Sequence, residues 1–64
     1  MSKKSVAKII SKRDGITMTE ALEMVNDTLD EMEEALADGR MYEVEEILAD
    51  NLGLEPDYIL DLWL

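Results

Sequence analysis

Apolar residues recur along this chain at the three- and four-residue steps of a helix, and never for long at the two-residue step of a strand. Near the start, Val6, Ile9 and Ile10 fall at i, i+3 and i+4. That spacing predicts a short amphipathic helix over about 3–13. Asp14-Gly15 should stop it, because glycine takes the left-handed conformation that follows many helices. Thr17-Met18-Thr19-Glu20 then has the spacing of a capping box. After it, Met18, Leu22, Val25, Leu29, Met32 and Leu36 recur at alternating steps of four and three. This heptad seam predicts a helix over about 18–38, roughly 30 Å long at about 1.5 Å per residue. Gly39 should end it.

Met41, Val44, Ile47, Leu48 and Leu52 keep helical spacing and predict a third helix over about 41–52, ended by Gly53. Tyr42 and Val44 alternate briefly like a strand, but Glu45-Glu46-Ile47-Leu48 breaks that period. Pro56 suits a first helical position and predicts a fourth helix over about 56–63, with Ile59, Leu62 and Trp63 on one side. No internal repeat, low-complexity tract or linker interrupts the pattern. The expected fold class is therefore all-α: a small bundle of four helices with short loops, built as a single domain.

Composition narrows the chemistry. The chain has 64 residues, no Cys and no His. A domain this short buries only about 60% of its unfolded surface and is marginal alone. Disulfides, thiolate metal sites and imidazole chemistry are all excluded, so association with another copy is the reinforcement left. The Ser and Thr hydroxyls have no His to activate them. No phosphate-binding glycine loop is present, and Asp50 to Asp57 lacks the ligand spacing of a calcium loop. No catalytic activity, cofactor or metal is expected. No signal peptide or membrane span is visible, since Lys8 interrupts the short apolar run Val6 to Ile10. A cytoplasmic location is the expectation.

Charge is sharply divided. Lys3, Lys4, Lys8, Lys12 and Arg13 give the first thirteen residues a charge of +5. From Asp14 onward, sixteen acids stand against Arg40 alone, or −15, for a net charge of −10. This pictures a strongly acidic body with a basic arm (1–13). The arm could pack on its own body, reach a second copy, or touch nucleic acid. Without an interleaved aromatic it is a weak nucleic-acid signal.

Glu20, Glu23, Asp27, Asp30, Glu31, Glu34 and Asp38 fall on the long helix opposite its seam. Like charges at i, i+4 cost a few tenths of a kcal/mol each. Eight acids from Glu20 to Asp38 span about 27 Å, about 3.4 Å per charge, close to the phosphate spacing along one DNA strand. The simplest reading of this face is a solvated helix surface. The sharper one is a surface that meets a basic protein partner and mimics nucleic acid. By the same charge argument, the acidic body should bind neither nucleic acid nor an anionic membrane directly.

The C-terminal Ile59-Leu60-Asp61-Leu62-Trp63-Leu64 is apolar on nearly every side. Leu60, Trp63 and Leu64 are the expected contact residues of a homo-oligomer, most simply a dimer.

Two resemblances add to this. Leu48-Ala49-Asp50-Asn51-Leu52-Gly53-Leu54-Glu55-Pro56-Asp57-Tyr58-Ile59-Leu60-Asp61-Leu62-Trp63 resembles the helix-turn-helix core of phage-repressor-like DNA-binding proteins. Ala49, Leu52, Gly53, Leu54, Pro56, Ile59 and Leu62 match its structural positions. Where that family presents Gln, Arg, Lys, Ser or Thr to bases, this chain offers Glu55, Asp57, Tyr58 and Asp61. The resemblance thus implies a tight turn between crossing helices without DNA reading. The whole chain also resembles the small acidic helical proteins of tailed phages and mobile elements, some of which inhibit a host protein. Together these readings lead to an expected function: a non-catalytic interaction module that presents the acidic face to a nucleic-acid-binding protein and blocks it. The alternatives are a structural or assembly subunit that forms a homo-oligomer, and a degenerate helix-turn-helix regulator.

Overall fold

The computed structural model describes residues 3–63. Four helices follow one another: α1 (Lys3–Asp14), α2 (Met18–Ala37), α3 (Val44–Leu52) and α4 (Tyr58–Trp63). A 3-10 turn, Met41–Glu43, leads into α3. No strand forms among the described residues. The all-α bundle expected from the apolar spacing is the fold observed.

The helix ends form as their sequences dictate. Thr17 is the N-cap of α2, extended at φ −72° and ψ 160°. Its hydroxyl accepts the Glu20 backbone N–H at 3.1 Å, and the Glu20 carboxylate accepts the Thr17 N–H at 3.2 Å. Two otherwise orphaned donors are thereby satisfied reciprocally. At the other end, the Arg40 N–H reaches the Ala35 carbonyl at 2.7 Å and Gly39 N–H reaches Leu36 at 3.1 Å. This Schellman pattern needs a left-handed residue at Gly39, whose φ is 78°. α1 closes in a related way, with Ile16 N–H donating to the Ser11 carbonyl at 3.2 Å.

Two boundaries differ from expectation. Met41 and Tyr42 lie in the 3-10 turn and are largely exposed, so helix α3 and its core contribution begin at Val44. Pro56 sits in a turn ahead of α4 rather than at its first position. Tyr58 and Ile59 N–H groups donate to the Glu55 and Pro56 carbonyls at 3.1 and 3.0 Å, tight i to i+3 bonds that wind the chain into α4.

α2 is the axis of the molecule. Its twenty residues, about 30 Å long, account for most of the 34 Å longest dimension. α1 and α3 both pack against it, and α4 packs against α1. The core gathers Val6, Ala7 and Ile10 of α1; Ala21, Val25, Leu29 and Met32 of α2; Val44, Leu48 and Leu52 of α3; and Leu54 and Leu62. On α1, Ala7 is buried while Ile9 stays half-buried.

The buried line of α2 shares Val25, Leu29 and Met32 with the seam of large residues but is centred to one side of it. It is centred on Ala21, Val25, Thr28, Met32 and Ala35, a second four-three series. That line is turned roughly 60° from the Met18–Leu36 seam at about 100° per residue. α1 and α3 both pack against this side of the helix. The displaced seam residues Met18 and Leu22 become half-buried edges, and Leu36 is 38% exposed. No described helix is long and apolar enough to cross a membrane.

Candidate functional site

The five cations of the first segment all belong to α1, and its packing sorts them. Val6, Ala7 and Ile10 turn inward, towards α2. Lys3 and Arg13 flank this inward side, and each is tied down. Lys3 Nζ donates to Asn26 Oδ1 on α2 at 3.2 Å. The Arg13 guanidinium grips Asp14 at 2.8 and 3.0 Å and reaches the Gly53 carbonyl at 3.4 Å.

Lys4, Lys8 and Lys12 occupy the outer side of the helix. They stand one turn apart, about 6 Å of rise between neighbours. All three are exposed. None is in a hydrogen bond or ion pair among the described residues, whereas the cations beside them are held. An open groove of about 370 Å³ lies beside this row, lined by Lys4, Ser5, Lys8 and Met18. The nearest acid in sequence, Asp14, is engaged by Arg13. That hydrogen bond holds the Asp14 carboxyl below the usual carboxylate range and raises the Arg13 guanidinium.

The acids of α2 lie on the side turned away from its buried line. Glu20, Glu23, Asp27, Asp30, Glu31, Glu34 and Asp38 are all exposed. Three serve the fold. Glu20 closes the capping box, Glu31 accepts from Asn51 of α3 at 2.6 Å, and Asp38 accepts from Arg40 at 3.1 Å. Arg40 also pairs with Glu43, and its guanidinium is raised, chiefly by Asp38. No cluster of three or more potential metal ligands exists among the described residues. Leu60 is 66% exposed and Trp63 38% exposed on α4. Leu64 lies outside the described residues.

What the outer row of α1 is suited to is contact with a polyanion, since unpaired ammonium groups at one-turn spacing attract phosphates. Comparison with protein families matches residues 1–50 to the family described as bacterial DNA-binding protein. The chain belongs to this family. The match takes in α1, α2, the 3-10 turn and most of α3, and leaves out Gly53 and α4. Comparisons with curated proteins and with solved structures gave no match.

Membership of the family overturns several expectations. The chain is not placed among acidic phage proteins, and the acidic face is not the site of an inhibitor or nucleic-acid mimic. The expectation of no direct nucleic-acid contact fails with them. That expectation concerns the acidic body. Nucleic acid is one of the three readings of the basic arm and is given too little weight there, although local charge and not the net charge governs what approaches a surface. The helix-turn-helix resemblance also fails. The match lies over residues 1–50, and α4 packs against α1.

Sequence reasoning missed the row Lys4, Lys8, Lys12 as a unit. The signal was present: a step of four, on the face opposite Val6 and Ile10.

Proposed function

We propose that this chain is a non-catalytic, cytoplasmic DNA-binding protein that holds the sugar–phosphate backbone with Lys4, Lys8 and Lys12. One observation carries the reading: in a member of a DNA-binding family, these three lysines of α1 stand outward and, among the described residues, unpaired, while Lys3 and Arg13 are used by the fold. Lysine is a compact point charge, suited to phosphates rather than to bidentate reading of a base edge. Binding is accordingly independent of sequence, in the range of about 10⁻⁴ to 10⁻⁶ M typical of such contacts. The acidic side of α2 repels DNA and so leaves α1 as the approach.

Leu60 and Trp63, exposed on α4, are assigned to contact with a second copy. A dimer doubles the phosphates within reach and reinforces a small core. The test is fluorescence anisotropy of a labelled duplex at low salt, comparing the unaltered chain with one carrying Lys4→Gln, Lys8→Gln and Lys12→Gln. Binding by the first and its loss in the second supports the reading. Equal binding by both refutes it.

A further inference from the structure

The groove beside the lysine row has a composition that phosphate contact alone does not require. Its cations are Lys4 and Lys8, and Met18 supplies an apolar wall. Met18 opens α2 and is half-buried, so one side of its thioether chain faces the groove while the other rests on the core. Lys12 stands one turn beyond and does not line it.

We infer that this groove seats one strand of DNA, with Lys4 and Lys8 on phosphates and Met18 against the deoxyribose between them. The inference rests on the DNA-binding reading and deepens it. Three features select this occupant. The charge of the rim calls for an anion at each end of the groove. Lys4 and Lys8 stand about 6 Å apart along the helix, room for two adjacent phosphates with one sugar between them. The rest of the lining, Ser5 and Met18, is mostly apolar, which suits a sugar and not a third phosphate. Methionine is soft and polarizable and adapts to an irregular surface. The neighbouring N-terminus of α2 is not the anion site, because the Glu20 carboxylate is folded back onto Thr17 there.

Salt titration of duplex binding separates the two kinds of contact. The slope of log K against log salt counts phosphates, and the affinity extrapolated to 1 M salt reports the remainder. Lys4→Gln and Lys8→Gln should each lower the slope by about 0.9. Met18→Ala should leave the slope unchanged and lower the extrapolated affinity about three- to tenfold, and Met18→Leu should restore it. Circular dichroism of both Met18 variants checks that the fold is kept. Unchanged extrapolated affinity in folded Met18→Ala overturns the inference, even if the triple lysine variant abolishes binding and so upholds the broader reading. Absence of duplex binding by the unaltered chain overturns both.

Discussion

The guanidinium of Arg13 reaches the carbonyl oxygen of Gly53 at 3.4 Å, joining the end of the basic helix to the turn after α3. Gly53 itself is left-handed at φ 64°, and its N–H donates to the Ala49 carbonyl at 2.9 Å. A Cβ added there would meet Arg13 Nη1 at 3.3 Å. Gly53→Ala therefore combines backbone strain with a crowded guanidinium. It should destabilise the fold by about 1–2 kcal/mol, measured by urea unfolding. A Gly15→Ala change, which meets no neighbour, should carry only the strain.

The Arg13–Asp14 contact gives stability a pH dependence of known sign. Asp14 has a lowered pKa because the Arg13 hydrogen bond favours its charged form. Its contribution is fully present above the ordinary carboxylate range. It is lost as pH falls through the lowered folded value. The stability gap between the unaltered chain and Asp14→Asn should therefore be constant near neutrality and close in acid. A gap that widened as pH fell would contradict the assignment.

Neutralising the acidic side of α2 now has an expected outcome opposite to that of an inhibitor surface. Glu23→Gln, Asp27→Asn, Asp30→Asn and Glu34→Gln remove like-charged neighbours at i, i+4. Stability should rise by about 0.5–1 kcal/mol in all. Affinity for duplex DNA should also rise, because repulsion of phosphates falls while Lys4, Lys8 and Lys12 are untouched. Weakened DNA binding in this variant would count against the site on α1.

Much of this could be read from the sequence. Each helix follows from apolar spacing, and the Thr17–Glu20 cap and the glycine stops lie where their residues call for them. The buried side of α2 was harder to read. Leu22 and Leu36 outweigh Ala21 and Ala35 in any measure of hydrophobicity, yet the two alanines are the ones fully buried. Which side of α2 is covered depends on where α1 and α3 pack, which no local pattern states. The site was obscured for a related reason. The step of four sets Lys4, Lys8 and Lys12 on one side in the sequence, but that Lys3 and Arg13 are used by the fold rests on the partners Asn26, Asp14 and Gly53, which no local pattern states.

Assembly offers a separate check. With Leu60 and Trp63 as contact residues, sedimentation at micromolar concentration should show a dimer. Leu60→Ala with Trp63→Ala should shift mass towards monomer and make melting less dependent on concentration. A chain that sediments as a monomer before any substitution would remove α4 from this role.

The salt dependence of duplex binding tests DNA contact through α1 most directly. Three phosphates held per chain give a slope of about −2.7 in log K against log salt, or about −5.4 for a dimer using both rows. Substituting Lys4, Lys8 and Lys12 by Gln should bring that slope close to zero and abolish measurable binding at physiological salt. A slope unchanged by the triple substitution would show that DNA is held elsewhere on the molecule.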